Sequence, residues 1–83
     1  MLGLNKYFAT LYAKERIISN VISPGPIDNN IPNYLKKRII ENTPMKKLCT
    51  IDEVFKAILF FCDTSNRHIT GQNIIIDGGK SLI

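Results

Sequence analysis

The sequence predicts an α/β fold built on two parallel strands, and three observations carry that expectation. Two short runs rich in β-branched residues, "IISNVIS" at 17–23 and "NIIID" at 73–77, stand far apart in the chain. Helix-forming stretches fill the interval, which is much too long for a hairpin and suits a right-handed crossover between parallel strands. Both runs are apolar almost throughout instead of alternating, the pattern of strands covered on both faces.

Residues 2–15 form the first predicted helix, with Leu4, Phe8, Leu11 and Tyr12 on one face and Ala9 and Ala13 as helix-favouring neighbours. The run 17–23 follows as a buried strand that stops at Pro24. Its end, Ser23-Pro24-Gly25-Pro26, is stiff: proline locks φ and glycine accepts angles that other residues avoid. A plain surface loop rarely needs such a turn, so something is expected to be held there. Residues 33–42 form a second helix, opened by Pro32 and closed by Thr43-Pro44.

The third helix, 51–62, begins with Thr50-x-x-Glu53, a capping box in which each side chain satisfies an exposed backbone N–H. Val54, Phe55, Ala57, Ile58, Leu59, Phe60 and Phe61 make it apolar nearly all round, so it is expected to be covered on more than one side. A polar loop leads to the strand 73–77, which Gly78-Gly79 ends. Repeats, low-complexity stretches and internal linkers are absent, and residues 1–83 read as one unit.

Composition narrows the function classes. With 83 residues, 45% hydrophobic and 22% charged, the chain suits one small soluble domain. A chain of this length buries only about 60–65% of the surface its unfolded form exposes, so its core is marginal. The net charge is +4, but the basic residues are dispersed among acidic ones. The largest clusters, Lys36-Lys37-Arg38 and Lys46-Lys47, are too small for a phosphate-tracking stripe, which argues against a nucleic-acid partner.

No apolar run approaches the ~20 residues that span a bilayer, and the first residues lack the marks of a signal peptide. The expected location is the cytoplasm. Cys49 and Cys62 have neither CxxC spacing nor a nearby histidine, so they read as free thiols and no metal site is assigned. His68 sits in the polar loop without a positioned partner and reads as a surface residue.

Taken together and in order, "IISNVISPGPI", "TIDEVFKAILFF" and "ITGQNIIIDGG" resemble the C-terminal part of the short-chain dehydrogenase/reductase family. Upstream, "LGLNKYFATLYAKERIISN" fits without a gap the family helix that leads into the first strand. The resemblance implies the C-terminal portion of a Rossmann-like, doubly wound parallel sheet, ordered helix, strand, lid helix, helix, strand. It places the Pro-Gly turn at the carboxyl end of a strand, where open α/β sheets bind ligands.

The implied cofactor is NAD or NADP. By the resemblance, Pro24, Gly25 and Pro26 shape the wall of the nicotinamide half, and the Ile27 backbone meets the carboxamide. Asn29 stands where the family usually has a threonine that hydrogen-bonds the cofactor. The stretch Asn30–Leu48 matches a variable lid over substrate, which includes Tyr34, Leu35, Arg38 and Ile39. There, Lys36, Lys37 and Arg38 read either as a solvated helix face or as an attraction for an anionic carrier or phosphate. Asp77-Gly78-Gly79 reads as structural.

The family's proton-transfer pair, Tyr-x-x-x-Lys, is missing from these residues. Four places after Tyr7 stands Leu11, and four after Tyr12 stands Arg16. The gapless fit puts the family lysine just before Met1, so no catalytic residue is assigned. The glycines, Gly3, Gly25, Gly71, Gly78 and Gly79, form no phosphate-binding turn. Two readings remain. One is a C-terminal piece of an NAD(P)-dependent carbonyl/alcohol oxidoreductase acting on a small molecule or an acyl carrier, with 3-oxoacyl-carrier or sugar-biosynthetic reduction as examples. The other is an inactive remnant or assembly module that pairs with a full-length relative. The family resemblance implies homo-oligomers, through the helix at 2–15 and through the last helix and strand.

Overall fold

A computed structural model describes residues 2–83. Helix α1 (Leu2–Tyr12) tightens into a 3₁₀ turn at Ala13–Glu15 and ends at Arg16, whose backbone is left-handed. Strand β1 (Val21–Pro24), helix α2 (Asn33–Glu41), helix α3 (Ile51–Cys62) and strand β2 (Asn73–Ile76) follow, and a 3₁₀ turn at Lys80–Leu82 closes the chain. The strands pair in parallel, Val21 opposite Asn73 and Pro24 opposite Ile76, and α3 packs on them. This is the α/β arrangement expected from the sequence.

β1 is shorter than the run 17–23. Residues 17–20 lie outside the ladder because side chains replace its bonds there: Asn20 Nδ2 donates to the Ile69 carbonyl, and Asn20 Oδ1 accepts from Gln72 N. Ser19 N donates to Thr70 Oγ1, and Gly71 N to the Ser19 carbonyl. Pro24 is tolerated inside the strand for a geometric reason. Val21 and Gly25 send their N–H groups to Gln72 and Ile76, so Pro24, one residue out of phase, presents its missing donor to the unpaired outer edge.

Three expectations about burial are corrected. Helix α3, expected to be covered on more than one side, has no buried residue, and Phe55, Ile58, Leu59 and Phe60 are exposed. The strands are half-buried, not buried, and Ile75 is 51% exposed, because two strands with one helix on them leave a face and an edge uncovered. On α1 the apolar face Leu4, Phe8, Leu11, Tyr12 lies exposed, while Asn5 and Ala9 are buried. Asn5 wins the interior position through hydrogen bonds: its Oδ1 accepts from Ser19 Oγ at 2.6 Å and its Nδ2 reaches the Gln72 carbonyl at 3.5 Å. Among the residues whose burial is described, the buried apolar ones are Ala9, Leu48 and Cys49, a very small core.

The capping box at α3 forms as expected. Glu53 N donates to Thr50 Oγ1 at 3.2 Å, and Thr50 N donates back to Glu53 Oε1 at 2.9 Å. Replacing Thr50 with Ala is expected to cost about 1 kcal/mol, read as a lower urea midpoint. An unchanged midpoint would remove the cap from the account.

The same carboxylate makes stability depend on pH. The hydrogen bond from Lys47 Nζ, followed by those from the Thr50 N–H and hydroxyl, lowers the Glu53 pKa from 4.5 to about 2. The folded form therefore binds this proton less tightly than the unfolded chain. Its stabilisation is fully present above about pH 4.5 and fades as the pH falls towards about 2. The urea midpoint is expected to drop across that window, and Glu53→Gln is expected to flatten the profile.

Candidate functional site

The turn after β1 is built by close approach. Gly25 N donates to the Ile76 carbonyl at 2.8 Å, and a Cβ at position 25 would stand 3.2 Å from both Cα and Cβ of Asp77. The absence of a side chain thus lets β1 end flush against the end of β2. Beyond it, the chain makes one bridge to Cys49: Cys49 N donates to the Pro26 carbonyl at 3.3 Å, and Asp28 N to the Cys49 carbonyl at 2.9 Å. A parallel bridge of that form turns the N–H and C=O of the central residue, Ile27, to the opposite side. The Ile27 carbonyl accepts from Asn29 N at 2.8 Å, and the Ile27 N–H has no partner among the described residues.

Cys49 is buried at this bridge, and burial followed by the Glu53 carboxylate pushes its thiol pKa up, away from nucleophilic behaviour. Cys62 is free and exposed on α3.

The segment from Asn30 to Leu48 runs beside the turn, sharing a cleft with it through Arg38, Ile39, Asn42 and Thr43, and is tied down at both ends. Asp28 pairs with Lys36 of α2 at 3.2 Å. At the far end, Thr43 is buried, its Oγ1 donates to the Ile39 carbonyl at 2.6 Å, and Met45 N donates to the Gly78 carbonyl at 3.0 Å. Asn30 and Lys46 both have left-handed backbones, so the direction of the chain changes on either side of α2.

Between this segment and the sheet lies a cleft of about 610 Å³. Pro24, Gly25, Pro26, Ile39, Ile75 and Asp77 form much of its wall. Asp77 is structural, as expected: its Oδ1 accepts from Gly79 N at 3.0 Å and its Oδ2 from Ser81 N at 2.9 Å. Desolvation pushes the Asp77 carboxyl up, but hydrogen bonds from Ser81, Gly79 and Lys80 together outweigh it, and the net shift is downward.

Of the residues singled out in the sequence, Pro24, Gly25 and Pro26 line the cleft, while Ile27 and Asn29 continue from it along the same turn. The basic run divides: Lys36 pairs with Asp28, while Arg38 reaches the cleft. His68 is exposed, as are Tyr7 and Tyr12 on α1. Sequence reasoning passed over Asn73, whose Oδ1 accepts from Ser23 Oγ at 2.7 Å on the cleft wall. Its signal was available, since Asn73 is the polar residue that opens an otherwise apolar strand.

The stiff turn stands at the carboxyl ends of two parallel strands with α2 beside it, the position at which open α/β sheets bind ligands. The family model for enoyl-(acyl carrier protein) reductase matches residues 1–81, and the chain belongs to the short-chain dehydrogenase/reductase family, in its C-terminal part. It is 32% identical over 86 residues to a 3-oxoacyl-(acyl-carrier-protein) reductase of Buchnera aphidicola from Schizaphis graminum, covering 99% of this chain and 35% of that protein. It is 31% identical to a 7alpha-hydroxysteroid dehydrogenase of Bacteroides fragilis, with 99% and 34% covered. A short-chain dehydrogenase from Leptospira borgpetersenii, solved with bound NAD+, superposes with a TM-score of 0.90 at 30% identity, over 96% of this chain and 32% of that one. The chain thus spans about a third of the length of the relatives it matches. Among the described residues, no helix is long and apolar enough to cross a membrane.

Proposed function

We propose that residues 1–83 act as one C-terminal unit that supplies the nicotinamide wall and the substrate cover of an NAD(P)-dependent carbonyl/alcohol oxidoreductase. The carrying observation is the Ile27 N–H, turned outward by the Cys49 bridge and left without a partner, at the end of a turn made flush by Gly25. A planar amide ring fits these features. Pro24 and Pro26 offer rigid apolar faces, and the Ile27 N–H would donate to the carboxamide oxygen. Asn29, with an exposed side chain, would reach the cofactor from the same turn.

Bound there, the nicotinamide supplies hydride chemistry. This chain's own residues fix the ring's orientation, and the segment 30–48 excludes water from the cleft. The phosphate turn and the family's Tyr-x-x-x-Lys proton-transfer pair are not among these residues, and in this reading a longer polypeptide or a full-length relative provides them. A small molecule or an acyl carrier is the proposed substrate class; relatives named as a 3-oxoacyl-(acyl-carrier-protein) reductase and a 7alpha-hydroxysteroid dehydrogenase support it. The free, exposed Cys62 suits a reducing cytoplasm.

The exposed apolar residues of α1 and α3 favour pairing with such a relative or with a second copy. The direct test is reconstitution. Residues 1–83 are fused after the N-terminal two thirds of the Buchnera reductase, and NADH and NADPH oxidation is followed with acetoacetyl thioesters. Restored turnover is expected. A folded fusion that binds neither cofactor would overturn the reading and leave an assembly module without an active site.

A further inference from the structure

Resting on that reading of the cleft as the substrate site, we propose that it takes a substrate with an anionic end, carboxylate or phosphate, held by Arg38 and Lys80. The cleft's polar groups sort by what they already do. Asn42 Nδ2 donates to the Arg38 carbonyl at 2.9 Å, and the Thr43 hydroxyl donates to the Ile39 carbonyl. Ser23 Oγ donates to Asn73 Oδ1, and both Asp77 oxygens accept backbone N–H groups. Among the charged and amide side chains of the described residues, three donors are left over, the Arg38 guanidinium, the Lys80 ammonium and the Asn73 amide Nδ2, against one acceptor, Asn42 Oδ1.

Neighbouring basic residues do not share that status. Lys36 pairs with Asp28, Lys47 with Glu53, and Lys46 donates to the Glu41 carbonyl. Arg38 and Lys80 line the cleft with no carboxylate partner among the described residues, and its single acid, Asp77, is already engaged. The remaining wall, Pro24, Pro26, Ile39 and Ile75, is apolar. An apolar body with a charged end matches that lining. Guanidinium hydrogen bonds to carboxylate or phosphate are charge-assisted and can be bidentate, which gives Arg38 the larger share.

The test compares acetoacetate, its uncharged methyl ester and hydroxyacetone phosphate as probes of the full 83-residue chain, followed by amide NMR shifts. The anions are expected to bind about tenfold or more tightly than the ester, and Arg38→Gln to bring that ratio close to one. Lys80→Gln is expected to reduce it in part. The better of the two anions identifies carboxylate or phosphate as the natural end. Equal binding of ester and anions by the unsubstituted chain, or a ratio unchanged by Arg38→Gln, would overturn the proposal.

In the fusion with the Buchnera N-terminal portion, the same ratio is read from kcat/KM. Turnover of ester and anions alike would overturn the anion assignment while leaving the oxidoreductase reading intact. Absence of cofactor binding there would count against the oxidoreductase reading, with the NMR ratio still deciding the anion site.

Discussion

Given NADH or NADPH and a carbonyl substrate, the isolated 83-residue chain is expected to show no measurable turnover and no cofactor binding at micromolar concentration. In the proposed reading, its contacts with a cofactor would be confined to the turn from Pro24 to Asn29. No glycine-rich turn offers a helix N-terminus to the pyrophosphate. Proton transfer by a positioned group is typically worth about 10²–10⁴ in rate, and orientation of reactants adds more, so the loss of both is large. The isolated chain is also expected to self-associate, because Tyr7 and Leu11 on α1 and Phe55 and Leu59 on α3 are each at least 45% exposed. Calorimetry with both cofactors, alongside size-exclusion chromatography, checks the two halves. A well-behaved monomer that binds either cofactor at micromolar affinity would mean that this small unit is a nucleotide site by itself.

Substitution of Gly78 by Ala should be the most damaging single change to the fold. Gly78 has φ +64, a left-handed backbone that costs a residue with a Cβ about 1–2 kcal/mol. The added Cβ would also stand 2.7 Å from Thr43 Cγ2. Thr43 cannot retreat freely, since it is buried and its hydroxyl is held by the Ile39 carbonyl. Overpacking of this kind costs about 1–3 kcal/mol, and the two costs fall on one contact. With a core this small, the sum is expected to unfold much of the chain at room temperature. Circular dichroism should show the loss of helix signal. A Gly78→Ala protein that melted with the unsubstituted chain would show that the packing of Gly78 against Thr43 is not tight enough to matter to the fold.

The parts of this fold that local chemistry dictates were legible in the sequence. The Thr50–Glu53 box fixed the start of α3, and the two isoleucine-rich runs with a long crossover fixed a parallel pair. Burial was not legible, because it depends on what surrounds each face. Leu4, Phe8, Leu11 and Tyr12 have the spacing of a core stripe, yet these residues contain nothing to cover it. Asn5 is polar by type and buried in fact, because Ser19 and the Gln72 carbonyl satisfy it. The extent of β1 was overread for a related reason: Asn20 mimics a ladder bond with its side chain, which apolar patterning does not register.

The candidate site divides in the same way. Pro24, Gly25 and Pro26 announce a stiff turn by residue type alone. The outward Ile27 N–H depends on a bridge to Cys49, a residue far along the chain whose role nothing in its neighbourhood signals. The approach of Gly25 to Asp77 is likewise a tertiary fact. The free donors of Arg38 and Asn73 become apparent only after every competing hydrogen bond is assigned.

The central claim is that the Ile27 N–H meets the nicotinamide carboxamide. Residues 1–83, labelled with ¹⁵N and joined to the unlabelled N-terminal two thirds of the Buchnera reductase, allow that amide to be followed as NADH is added. The account predicts that the Ile27 amide resonance moves downfield, as a newly formed hydrogen bond requires, and that its exchange with solvent slows. An Ile27 amide that keeps its cofactor-free shift and exchange rate in a complex that oxidises NADH would contradict it.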